Sequence, residues 1–187
     1  MTAANSPSTS MLPDSDVFYE VIDGQVVELP PMGAHQIGIA NDLLVFLAFY
    51  LVNHPLGQAF VEMLFRLRNE PRLERKPDVA FVPYERWPAR IIPDTEAWEV
   101  IPALAAEVIS KTNTAEAVEA KIEDYFKHGV SVVWVIYPRQ RRIYVYEGPK
   151  TVRILDVNDT LDGSTILPEF QLPVVQLFEG TPRPEAR

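Results

Sequence analysis

Two short runs, Val79 to Val82 and Leu104 to Ile109, are apolar almost without interruption and show no alternation. A strand with one face in water alternates apolar and polar side chains, so an unbroken run of this length reads as a central strand covered on both faces. Cover on both faces requires further elements packed above and below, and the order hairpin, helix, three strands, helix, strand, strand reads as mixed α/β in a single domain. The exception within these runs is Glu107, in Ala105-Ala106-Glu107-Val108-Ile109. A carboxylate on such a strand is costly to bury without a cation or hydrogen-bond partners, so it suggests a metal or a paired lysine. The alternative is an edge strand with Glu107 facing water, and the strand pattern leaves the two readings even.

The remaining elements follow from local signals. Phe18 to Leu29 reads as a β-hairpin turning at Asp23-Gly24, a pair that tolerates positive φ. A helix is expected from about His35 to Val52, closed by Asn53, His54 and Pro55. From Gln58 to Leu67 the alternation of Ala59, Val61, Met63, Phe65 and Leu67 predicts one long half-exposed strand. Tyr84 to Pro102 reads as mainly loop, anchored by Trp87 and Trp98. Thr112 or Thr114 caps a helix carrying Val118, Ile122, Tyr125 and Phe126 and ending at His128-Gly129. Val132 to Ile136 and Arg142 to Tyr146 are strands joined by a basic turn, and Thr151 to Asp156 is a last strand candidate. Residues 1–14 read as a loose leader, 15–180 as the domain and 181–187 as a polar tail.

Cysteine is absent from the 187 residues, which excludes a disulfide scaffold, a zinc ribbon and a thiol nucleophile. The net charge of -9 argues against nonspecific coating of nucleic acid. Its distribution is uneven: residues 1–65 hold seven acids and no Lys or Arg, leaving 17 cations against 19 acids in the rest. Arg66, Arg68, Arg72, Arg75 and Lys76 face only Glu70 and Glu74 within their stretch, so a basic rim is expected there. No positive n-region or apolar h-region stands in MTAANSPSTS, so a cytoplasmic location is expected. The longest apolar run, Leu43 to Val52, is shorter than the ~20 residues of a membrane span. It reads as a helix buried on most sides, or one sharing a face with a second subunit.

Asp78 follows Pro77 at the start of an apolar run, and two acids on neighbouring buried strands can share one hard divalent cation such as Mg²⁺. Lys121, at the margin of the apolar helical stripe, can aim its ammonium toward Glu107 or snorkel to solvent, and Lys111 is a second candidate. His35 opens a helix where a phosphate could be met, whereas His54 and His128 read as helix-terminal residues. The histidines lack metal-ligand spacing. Gly24, Gly33 and Gly38 form no phosphate-binding loop, and Ser110 has no nucleophile elbow around it. No interleaving of aromatic and basic residues of the RNA-binding kind stands out.

Pro77-Asp78, Glu107-Val108-Ile109 and a lysine on the next helix resemble the PD-(D/E)xK pattern of restriction-endonuclease-like proteins. More closely, the chain resembles a large bacterial family of mostly uncharacterised restriction endonucleases, often present in many copies per genome. The matching segments are Tyr19 to Gly24, His35 after the Pro-Pro, Lys76-Pro77-Asp78-Val79, Glu107 to Ser110, Lys121 to Tyr125 with His128-Gly129-Val130, and Trp134 to Pro138. The resemblance implies a restriction-endonuclease-like mixed β-sheet flanked by helices, with an N-terminal β-hairpin. It implies that Asp78, Glu107 and the carbonyl of Val108 hold Mg²⁺, or Mn²⁺ in its place, for hydrolysis of DNA phosphodiesters. Lys121 would orient water or neutralise charge, Glu20 would add a carboxylate, and a homodimer would cut both strands. The chain departs from the pattern at Ile109, where the motif lysine is expected, and at Ala103, Ala117 and Ala120. With the net charge, these departures motivate the alternative of a binding or assembly module without turnover.

Overall fold

The computed structural model describes residues 17–180. The expected leader over 1–14 and tail over 181–187 therefore lie outside the described residues. The first elements are the hairpin β1 (Tyr19–Ile22) and β2 (Gln25–Glu28), then helix α1 (Ala34–Asn53). β3 (Gly57–Val61), β4 (Phe65–Arg68), β5 (Leu73–Arg75), β6 (Val79–Pro83) and β7 (Leu104–Val108) precede helix α2 (Ala115–Lys127). β8 (Val132–Tyr137), β9 (Arg142–Gly148), β10 (Thr151–Leu155), β11 (Thr160–Gly163), β12 (Leu167–Pro173) and the short α3 (Val174–Leu177) complete the chain.

The main sheet has the order β10-β9-β8-β7-β6-β3, with every residue of β6 and β7 buried. Only β7 and β8 run parallel, and α2 is the crossover that parallel neighbours require. α1, the β11–β12 hairpin and α3 pack on one face, where Leu43, Leu47, Trp134, Ile143 and Phe170 share a core. On the other face α2 sets Val118, Ile122 and Tyr125 against Ala105, Val133 and Val135, and the loop anchors Trp87 and Trp98 join the same core. Thr114 caps α2, its side chain accepting from the Ala117 amide.

Three expectations require correction. The long strand over Gln58 to Leu67 is two strands: β3 pairs with β6 in the main sheet, whereas β4 pairs with β5 in a smaller sheet of order β2-β1-β5-β4. The chain changes sheets at Glu62, which takes a positive φ of 55°. The residues buried on this stretch are accordingly Phe60, Leu64, Phe65 and Leu67. Secondly, α1 is not buried on most sides. One stripe, Ile39, Ala40, Leu43, Leu47 and Leu51, packs inward, while Val45, Phe49 and Val52 stand 63%, 75% and 79% exposed. Its 20 residues are, by length and composition, enough to cross a membrane, although the run considered in the sequence was shorter; here the inward stripe packs as in a core helix. Lastly, the run from Arg66 to Lys76 is not a free basic rim. Arg66 pairs with Glu74 and Glu99, Arg68 with Asp23, Arg75 with Glu20 and Asp124, and Lys76 with Glu62, because the acids of the hairpin and the long loop fold onto it.

Candidate active site

Strand register brings the acids together. β6 pairs Val79 with Ala106, so continuing that register by one residue sets Asp78 opposite Glu107. β3 pairs Val61 with Val79, which sets Glu62 on the other side of Asp78, and the Glu62 amide donates to the Asp78 carbonyl at 3.2 Å. Side chains directly opposed on antiparallel strands share a face. Glu62, Asp78 and Glu107 thus form a row at the edge of the α2-covered face. They line a cleft of about 80 Å³ together with Lys76, Val108 and Lys121. A larger cleft, about 270 Å³, lies at the opposite end of the sheet, and Glu85 is the acid among its lining residues.

Glu107 is 7% exposed on a strand flanked by β6 and β8, so of the two readings the buried one holds. Both its oxygens are engaged: Tyr125 donates to Oε1 at 2.6 Å and Lys121 Nζ to Oε2 at 3.0 Å. Lys121 also lies 3.0 Å from Glu20 Oε1. Glu20 accepts from the Lys76 amide at 3.0 Å and from Arg75 Nη1 at 2.7 Å, and Arg75 reaches on to Asp124 Oδ2 at 2.5 Å. Asp78 Oδ2 accepts from the Val108 amide at 2.5 Å.

Burial and charge act differently on each member. Burial, then the like charge of Glu107, pushes Asp78 up to about 7, against the Val108 amide, which favours its ionised form. Glu107 is raised as well, by burial first, with Lys121 opposing. Burial alone would raise Glu20, but the Lys121 and Arg75 cations hold it below the usual carboxylate range. Burial disfavours the Lys121 ammonium, yet Glu107 and Glu20 outweigh it and raise its pKa. Lys121 is consequently a fixed cation and not a base. Asp78 is the member able to exchange a proton near neutrality.

Among the described residues no three His, Cys, Asp or Glu side chains come together as a metal-ligand cluster. The donors set beside the backbone of Val108 are the carboxylates of Asp78 and Glu107, with Glu62 also among the lining residues. Such an all-oxygen set fits Mg²⁺, which keeps much of its water and takes one or two carboxylates, and suits zinc poorly. The like-charge repulsion that raises Asp78 is what a bound dication would relieve.

Residues 9–175 match the model of the Uma2 family, described as "Putative restriction endonuclease". The chain belongs to the Uma2 family. A solved structure with the same fold is the "putative nuclease belonging to DUF820" from Anabaena variabilis ATCC 29413. The two superpose with a TM-score of 0.77 at 18% identity, over 90% of this chain and 93% of that one. The likeness establishes a nuclease-type mixed sheet flanked by helices as the fold of this Uma2 chain. No curated protein matches it.

Asp78, Glu107, Val108 and Lys121 line one cleft in this Uma2 protein, and Glu20 joins them through Lys121. Lys111 is exposed in the loop after β7 and is not among the residues lining the cleft. His35 lies in the first turn of α1 with a buried Nε2 that has no hydrogen-bond partner, outside the cleft lining. His54 and His128 cap α1 and α2, each with Nδ1 near the carbonyl four residues back, at 3.1 and 2.7 Å. Sequence reasoning missed Arg75, Asp124 and the hydroxyl of Tyr125. Arg75 lies on the three-residue strand β5, too short for a periodic signal, and Tyr125 was accounted for by its apolar stripe. Helical spacing offered a clue, since Lys121, Asp124 and Tyr125 are three and four apart and so share a helix face.

Proposed function

We propose that the protein is a metal-dependent endonuclease that hydrolyses DNA phosphodiester bonds at a PD-(D/E)xK-type site. The carrying observation is that Asp78, immediately before β6, stands one residue on in register from the Val79–Ala106 pair and so beside Glu107 of the buried strand β7, with Lys121 held 3.0 Å from Glu107. Family membership supports the nuclease class. Asp78, Glu107 and the Val108 carbonyl would hold Mg²⁺, with Mn²⁺ as a substitute, and the ion would supply Lewis-acid stabilisation of charge developing on phosphate. Lys121 neutralises phosphate charge and orients the attacking water. Glu20 and Tyr125 fix Lys121 and Glu107 in place, so that little reorganisation is needed as charge develops. Asp78 gives up its proton before it can serve as a ligand, so metal binding competes with that proton and weakens as pH falls.

A cytoplasmic homodimer fits this reading. The exposed apolar face of α1, Val45, Phe49 and Val52, is the surface that would join two copies about a two-fold axis. Nicking of supercoiled plasmid with Mg²⁺ or Mn²⁺ tests the activity. Metal-dependent nicking is expected from the wild type and not from Asp78→Ala; equal nicking by both would reject the site.

One observation favours a second reading, a nuclease fold that binds without turnover. Both Glu107 oxygens are already taken, by Lys121 and Tyr125. Absence of nicking together with absence of Mg²⁺ binding by calorimetry would select it.

A further inference from the structure

The row that begins at the cleft continues across the sheet. Glu107 stands opposite Val135, Val135 opposite Tyr144, and Tyr144 opposite Ile154. The neighbouring rows pair Tyr137 with Arg142 and Tyr146 with Val152. Since opposed residues share a face, Tyr137, Arg142, Tyr144, Tyr146, Val152 and Ile154 stand on the face that bears Glu107, at the margin of the core that α2 covers. Tyr137, Tyr144 and Tyr146 are only partly buried, and Val152 and Ile154 are 43% and 52% exposed. The rings of Tyr137 and Tyr144 lie 4.8 Å apart. With strands about 4.8 Å apart, Tyr144 lies only about 10 Å along the row from Glu107.

Charge singles out the same rim. In a chain of net charge -9, the loops leaving the C-terminal ends of β7 and β8, residues 109–115 and 137–142, contain no acid and hold Lys111, Arg139, Arg141 and Arg142. None of these four is in an ion pair among the described residues, whereas the cations of the 66–76 run are matched by acids. Arg141 stands apart from the other three, its guanidinium lying 6.0 Å from the ring centre of Phe178 in the core on the opposite face. In the sequence this interleaving is hidden, because Arg142, Tyr144 and Tyr146 alternate with the buried Ile143 and Val145.

We propose that this face carries an unpaired stretch of the DNA strand whose phosphate enters the cleft, with Tyr137 and Tyr144 stacking on base faces and Arg142 and Arg139 contacting backbone phosphates. The proposal rests on the nuclease reading for the phosphate in the cleft. A duplex buries its base faces, so tyrosines on an open sheet can stack only on unpaired bases. The substrate class is then DNA with a single-stranded segment beside the cut, such as a flap, gap or branch.

Anisotropy of a labelled oligothymidine of about 16 nucleotides, in excess chelator so that no cleavage occurs, tests the surface on the full chain. Tighter binding of the single strand than of a blunt duplex of equal length is expected. Tyr144→Ala should weaken single-strand binding about 5- to 100-fold, with Tyr144→Phe retaining it. Arg142→Ala should weaken it and lower the salt slope by about 0.7. Equal affinity for duplex and single strand, or wild-type binding by both alanine variants, overturns the proposal. So does a shift in oligomeric state on Tyr144→Ala with binding unchanged, which would assign the face to a second copy. Plasmid nicking is scored separately: nicking that survives without Tyr144-dependent binding leaves the nuclease and removes this surface, and the converse removes the nuclease alone.

Discussion

Asp78 holds a proton in the folded chain up to about pH 7, while in the unfolded chain it releases it near 3.8. Between these values the folded state binds more protons than the unfolded, so this group's contribution to stability falls as pH rises through the window. Asp78→Asn removes the penalty. At pH 8.5 the variant should exceed the wild type in urea-unfolding free energy by up to about 4 kcal/mol, with the difference vanishing near pH 4. A difference that does not vary with pH would place the proton elsewhere. Added Mg²⁺ should stabilise the wild type at pH 8.5 and leave Asp78→Asn unmoved. Tyr125→Phe strips the 2.6 Å hydrogen bond from buried Glu107 and should cost about 1.5–3 kcal/mol in the same assay. At this scale the sequence made Asp78, Glu107 and Lys121 legible, since a charge inside or beside an apolar run needs a reason. The Glu20 and Arg75 contacts were not, because 55 residues separate the two and only the folded small sheet joins them.

Elements depend on a few positions where backbone leaves no room. A Cβ at Gly57 would lie 2.2 Å from the Val82 carbonyl oxygen and 2.7 Å from Pro83 Cα, where β3 pairs with β6. Gly57→Ala should therefore destabilise by about 1–3 kcal/mol or more, read as a lower urea midpoint. Thr114→Ala, which removes only the α2 cap, should cost about 1 kcal/mol. β6 and β7 were legible because strands covered on both faces need continuous apolar sequence. The break at Glu62 was not, since alternating residues continue on either side of it while the backbone leaves one sheet for another.

For the whole molecule, the proposed homodimer would join through the apolar outer face of α1. Phe49→Glu should turn a dimer into a monomer by light scattering at micromolar concentration while changing stability by no more than about 0.5 kcal/mol, as expected for a side chain 75% exposed. A monomeric wild type would remove the homodimer. The low contrast between the inner and outer faces of α1 is why its apolar run could be read either as core or as interface: composition alone does not say which side the sheet occupies.

The sequence by itself determined the central strands, the two main helices, the N-terminal hairpin and the acid, acid, lysine order along the chain. These rest on local periodicity and on the cost of burying charge, both of which act over a few residues. Only the tertiary structure decided that Asp78 stands opposite Glu107, that the 66–76 cations are spent on internal acids, and that the unmatched cations border a tyrosine-lined sheet face. Register and charge pairing join residues tens of positions apart, and only the folded chain brings them within the few ångströms over which they act.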